Sequence, residues 1–146
     1  MTAAGASAAD LISANRTLGR RFFEEQDRLR GGPAAALCAP EYRARLGGNP
    51  EIPREGHEGF AQGFYAAFPD MHHDIEDVFA TEDRVLVRFV LHGTNTGSFF
   101  GVPPTGRQVT IAAHVILHVS DGKVTRLLGI FDEAGLLRQL GILPSN

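Results

Sequence analysis

A chain of 146 residues, 43% hydrophobic and 21% charged, has the size and composition of one globular domain over 1–146, with a flexible tail over 1–6. A formal net charge of -3 with no basic block argues against nucleic acid as a partner. The single cysteine, Cys38, cannot form an internal disulfide and suits a reducing cytoplasm. No apolar run is long enough to cross a membrane, and MTAAGASAAD lacks the pattern of a signal peptide.

In chain order, Ser7 to about Arg30 predicts one long helix with Leu11, Leu18, Phe22 and Leu29 on one stripe, stopped by Gly31-Gly32-Pro33. Pro33 to Leu46 reads as short helical pieces broken at Pro40, and a loop rich in Gly and Pro follows. Phe60, Phe64 and Phe68, at steps of four, predict a helix from about Glu55 to Phe68. The pattern then turns to strands. HHDIEDVFA alternates, RVLVRFVLHG places Val85, Val87, Phe89 and Leu91 on one face, and NTGSFFGVPPTGRQ is a loop. VTIAAHVILHV and KVTRLLGIF predict a hairpin around Asp121-Gly122, the strongest short turn signal in the chain. A last helix takes Asp132 as N-cap, Leu136, Leu137 and Leu140 as its apolar face, and Gly141 as its stop.

Helices followed by antiparallel strands predict an α+β fold. A cone-shaped curved antiparallel sheet packs on about three N-terminal helices, with a short C-terminal helix, around a small-molecule pocket. The hairpin register decides what faces that pocket. A two-residue Asp121-Gly122 turn sets Val115 opposite Leu128, so Ala113, Val115 and Leu117 share the pocket face with Leu128, Ile130 and Asp132. His114, Ile116 and His118 then point outward. A three-residue turn with a glycine bulge slips the pairing by one and brings those three onto Asp132's face. The two-residue register is the expectation. Asp132 would end a strand among apolar groups, which raises a carboxylate's pKa, while standing at a helix N-terminus, which lowers it. It can serve as a cap, as chemistry, or as both.

Phe22, Phe60, Phe64 and Phe89 are core residues, some of which line the ligand space. His57 opens a helix and reads first as a surface histidine, with reach to the cone mouth as the alternative; Arg45 reads equally as a partner in a surface salt bridge or as a group that meets a carbonyl or anion at the rim. His72, His73, His114 and His118 do not make a metal site. Residues four apart on a strand are roughly 13 Å apart, and adjacent ones point to opposite faces. No metal or other cofactor is expected.

The stretch AFPDMHHDIEDVFATEDRVLVRFVLHGTNTGSFFGVPPTGRQV, followed by the hairpin strands, DGKV and FDEAGLLRQLG, resembles the SnoaL-like polyketide cyclases of the nuclear-transport-factor-2-like superfamily. The resemblance spans about Ser13 to Leu143. It implies the α+β cone and a cofactor-independent intramolecular aldol condensation on a polyketide ester. It also implies an acid/base aspartate at the strand end before the final helix, matched here by Asp132, with His118 as a secondary candidate. The substrate would be a small, mostly apolar or aromatic molecule, contacted by Phe22, Tyr42, Arg45, His57, Phe60, Phe64, Phe89, Val115, Leu117, Leu128 and Ile130. This chain departs from its relatives in carrying Leu128 where they often have tryptophan, and Arg45 and Asn95 where they often have histidine. The alternatives are a non-catalytic small-molecule-binding protein, or an isomerase, dehydratase or epoxide-opening enzyme on the same fold. The outer sheet face, with His114, Ile116, His118, Leu127 and Gly129, is too apolar to leave exposed, so a homodimer through that face is expected.

Overall fold

The computed structural model describes residues 5–144. Helix α1, Ala8–Leu29, starts where Ser7 Oγ accepts the amide of Asp10 at 3.1 Å, and ends at Arg30 in the left-handed conformation. Its buried face is Asn15, Leu18, Gly19, Phe22, Phe23 and Gln26, while Leu11 and Leu29 are 37% and 48% exposed. The packed stripe is therefore rotated from the expected one and overhung at both ends. It includes a glycine and two polar residues that apolar spacing passes over. Gly19 is needed there, because a Cβ would press on the side chain of Val85 in the sheet.

Pro33 to Leu46 departs from expectation. Only Ala35–Leu37 is helical, a single 3-10 turn, and strand β1 follows over Cys38–Leu46. Alanine-rich propensity favoured helix here. The period-two pattern of Tyr42, Ala44 and Leu46 against Arg43 and Arg45 prevails once the segment pairs with two neighbours. Pro40 sits in the interrupted part of the β1 ladder, between Cys38 and Arg43, where no amide is required. Cys38 itself is buried, which pushes its thiol up to about 12.

Strand β2, Ile52–Pro53, leads into helix α2, Arg54–Ala67. Strands β3 (His72–Ala80), β4 (Arg84–Thr94), β5 (Gln108–Ser120) and β6 (Lys123–Phe131) precede helix α3, Glu133–Gln139. They form one six-stranded sheet in the order β2-β1-β6-β5-β4-β3. All neighbours are antiparallel except β1 and β6, which run parallel. Bulges in β1, β3 and β6 bend the sheet, and its concave side packs on α1 and α2. This is the expected α+β cone, with two long N-terminal helices and one short turn. No helix among the described residues is long and apolar enough to cross a membrane.

The loop from Asn95 to Arg107 is tied down by one side chain. Asn95, 1% exposed, donates to the carbonyls of Ala67 and Gly97 and accepts from the amide and hydroxyl of Thr105. Asn95 thus has a structural role here.

The β5–β6 hairpin sets the site. Ser120 pairs with Lys123 and Val119 with Val124, across a two-residue turn with Asp121 and Gly122 at φ 50° and 73°. The expected turn is present. One residue later Thr125 is squeezed out as a bulge, and His118 pairs with Arg126. Every later pairing is shifted: Leu117 meets Leu127, Val115 meets Gly129 and Ala113 meets Phe131. His114, Ile116 and His118 point outward as expected. Leu128 and Asp132 do not face the pocket; they share the outer face with those residues and with most of Ile130, which is 72% exposed.

Candidate functional site

Inside the cone lies a cavity of about 90 Å³. Phe23 of α1, Phe60 and Phe64 of α2, Phe89 of β4, Val115 of β5 and Leu127 of β6 supply much of its apolar wall. Its polar wall comes from Gln26, His57, Tyr65 and His73. A groove of about 300 Å³ lies beyond Phe60, Phe64 and Phe131, which belong to both spaces. Those three rings, with Phe99 and Phe100, pack edge-on or tilted at centroid distances of 4.8 to 6.1 Å where they meet. They form an aromatic partition between cavity and groove.

Two hydrogen-bonded sets carry the polar chemistry. Asp27, on the turn of α1 after Phe23, accepts from the backbone amide of His73 at 2.8 Å, from His73 Nδ1 at 2.7 Å and from the Tyr65 hydroxyl at 2.7 Å. Burial alone would raise this carboxyl. The hydrogen bonds and charge of His73, with the Tyr65 hydroxyl, outweigh it and hold Asp27 below the usual carboxylate range. Burial and the Asp27 carboxylate push the Tyr65 hydroxyl far upward, and Arg30 stacks over its ring at 4.6 Å. In the second set the Tyr42 hydroxyl meets His57 Nδ1 at 2.8 Å, with the two rings nearly parallel. Burial, helped by the charge on His73, pulls His57 down to about 4, so its ring is neutral at ordinary pH. Burial also raises Tyr42.

Of the residues expected to bind substrate, His57, Phe60, Phe64, Phe89 and Val115 line the cavity. Tyr42 reaches it through His57. Phe22 and Leu117 are fully buried packing residues outside its wall. Arg45 and Leu128 lie opposite each other on the outer face, in a groove of about 920 Å³ that also holds His114, Ile130 and Asp132. Ile130 borders the cavity as well, although most of the residue faces solvent. His118 is half-buried on that outer face. Burial lowers its pKa, as do the charges of Arg84 and Arg126.

Asp132 is exposed and caps α3, its Oδ1 accepting the Gly135 amide at 2.9 Å. Gly135 permits this fold-back, since a Cβ there would collide with the Asp132 carboxylate. The apolar enclosure expected around Asp132 is absent because the Thr125 bulge turned it to the other side of the sheet. Asp27, His73, Tyr65 and Gln26 were not expected at the site. The one available signal was an acid a helical turn after Phe23, on the edge of an apolar stripe.

Comparison with known proteins agrees with this architecture. AclR, a proposed hydroxylase from Streptomyces galilaeus, is 26% identical, with 92% of this chain and 89% of that one covered and a TM-score of 0.83. IdmH, a proposed polyketide cyclase from Streptomyces antibioticus, is 30% identical over 88% of this chain and 96% of its own, with a TM-score of 0.70. A proposed SnoaL-like polyketide cyclase from Jannaschia sp. CCS1 shares the fold at 23% identity, with a TM-score of 0.84 over 96% of this chain and all of that one. No curated protein matches the chain significantly. The profile of one family, described as SnoaL-like polyketide cyclase, matches residues 18–140. With that match over most of its length, the chain belongs to the SnoaL-like polyketide cyclase family.

Proposed function

We propose that this protein is a cofactor-independent acid/base enzyme of the polyketide-cyclase type, cytoplasmic, acting on a mostly apolar small molecule held in the cone. The observation that carries the reading is an apolar interior cavity with two imidazoles, His57 and His73, on its wall. Family membership and the likeness to IdmH, a proposed polyketide cyclase, support the same reaction class. Holding a reactive chain in one geometry supplies much of such a reaction, and a positioned proton acceptor supplies the rest.

A cavity of about 90 Å³ does not hold a fused-ring polyketide. Rotation of Phe60, Phe64 and Phe131 would join it to the groove of about 300 Å³, giving space on the scale of ordinary ligand pockets. Asp132 stands outside both the cavity wall and that groove. In this reading it acts as a helix cap, and proton transfer belongs to the interior.

Binding and turnover of a tricyclic aromatic polyketide ester test this. Ala113→Leu, which fills the cavity wall, is expected to weaken binding at least about tenfold, while Asp132→Asn keeps turnover within about twofold. Wild-type affinity in the Ala113 variant would remove the cavity as the site. Loss of turnover with intact binding in the Asp132 variant would return catalysis to that carboxylate.

We also propose a homodimer through the outer sheet face. The residues there differ from expectation: Leu127 and Gly129 face inward, whereas Leu86, Ile116, Leu128 and Ile130 line the outer groove. Ile116 and Ile130 are 39% and 72% exposed, a patch that favours burial. Sedimentation at micromolar concentration is expected to give a dimer and Ile130→Lys a monomer. A wild-type monomer would contradict it.

A further inference from the structure

Of the four polar residues on the cavity wall, Tyr65 spends its hydroxyl on Asp27, which leaves His73, His57 and Gln26 to meet a ligand. An ionised Asp27 can only accept, so in its neutral form the His73 ring carries its proton on Nδ1, 2.7 Å from the carboxylate, and offers the Nε2 lone pair. Among the described residues, His73 makes its hydrogen bonds through its backbone amide and Nδ1, and none through Nε2. The buried Tyr42 hydroxyl meets no acceptor there other than His57 Nδ1, so it donates to that atom and His57 carries its proton on Nε2. Gln26, 4% exposed, lies on the same wall, and its Nε2 is buried without a partner. A buried amide donor without a partner costs stability and is kept where something else completes it.

We propose that the cavity is a carbonyl site: Gln26 and His57 donate hydrogen bonds to a ketone or ester oxygen, and His73, oriented by Asp27, takes a proton from the carbon next to that carbonyl. This rests on the reading of the cavity as the site and adds its substrate class and the role of each group. The carbon–hydrogen bond breaks and its proton goes to His73 Nε2, forming an imidazolium against the Asp27 carboxylate. The electron pair becomes the enolate double bond, and the negative charge arrives on the oxygen facing the two N–H donors. Return of the proton from Nε2 to carbon restores the starting state of the enzyme. Asp27 touches no substrate and is a positioning residue. It fixes the tautomer that leaves Nε2 free, and it stabilises the cation formed.

Cyclopentanone fits the size of the cavity and reports each role separately. Its binding is read from the methyl signals of Val115 and Leu127, and proton abstraction from deuterium uptake at its α-carbons in heavy water. The wild type is expected to bind it saturably and accelerate uptake. His73→Gln should bind within about twofold but slow enzyme-catalysed uptake at least about 100-fold. Asp27→Asn should keep affinity, lose uptake, and lose the nitrogen signature of a proton fixed on His73 Nδ1. Gln26→Leu should weaken cyclopentanone about tenfold while leaving cyclopentane unchanged, because only the ketone loses a hydrogen bond. Wild-type uptake in the His73 variant, or binding without any acceleration in the wild type, overturns this proposal and leaves the cavity as a binding site. Failure of both cyclopentanone and cyclopentane to bind overturns the cavity reading and this proposal together.

Discussion

Replacing Asp27 with alanine is expected to lower folding stability by about 3 kcal/mol, the largest loss from any single surface-accessible acid in the chain. Asp27 joins three elements: its carboxylate takes the Tyr65 hydroxyl from α2 and both the amide and the ring of His73 from β3, while α1 carries it. Removing the carboxylate leaves the hydroxyl and the imidazole N–H facing apolar wall. Each orphaned buried donor costs about 1–3 kcal/mol, and the partial exposure of Asp27 keeps the sum near the lower end. Asp27→Asn should lose less, because its oxygen still accepts while its amide group faces a donor it cannot satisfy. The exposed pairs Arg28–Glu25 and Arg88–Glu76 have shorter or comparable contacts, yet their deletion should cost far less than that of Asp27, since water replaces the partner. Urea unfolding of these four variants and the wild type measures all of this. A loss below about 1 kcal/mol for Asp27→Ala would mean that the three bonds are not held together in solution.

The elements that local chemistry dictates were legible. Asp132 is a cap, Gly141 stops the last helix at φ 77°, and Asp121-Gly122 makes the turn. What escaped lies one step beyond such signals. The bulge at Thr125 follows from how a curved sheet accommodates its neighbours, and no residue type announces it. That one extra residue nevertheless reverses which side Leu128, Ile130 and Asp132 occupy. In β1, alanine content favoured a helix, but alternation of Tyr42, Ala44 and Leu46 only became decisive once β6 offered a partner. The polar cluster was hidden for a related reason. Asp27 and His73 are 46 residues apart, and each alone resembles a surface group at the edge of an apolar pattern. Family-level likeness did not find it either, since it draws attention to Asp132.

Lowering the pH from 7 to 4 is expected to remove about 3 kcal/mol of stability through His57 alone. Its folded pKa lies near 4 against an ordinary 6.5, because burial beside Tyr42 disfavours the imidazolium. Between these values the unfolded chain holds a proton that the folded one refuses. Stability is therefore complete above about 6.5, falls as the pH drops toward 4, and stops falling below it. Asp27 acts later and in the same direction. Its carboxyl titrates lower in the folded protein than the ordinary 3.8, so its contribution disappears only below that value. The two windows hardly overlap. His57→Phe keeps the ring volume and removes the titration, at a pH-independent cost for the stranded Tyr42 hydroxyl. The stability difference between wild type and variant should then shrink by about 3 kcal/mol from pH 7 to pH 4. A difference that stays constant would show His57 protonating as freely in the fold as in water. Such a ring would be wet and cationic at mild acidity, which contradicts both the burial of His57 and a neutral N–H donor on the cavity wall.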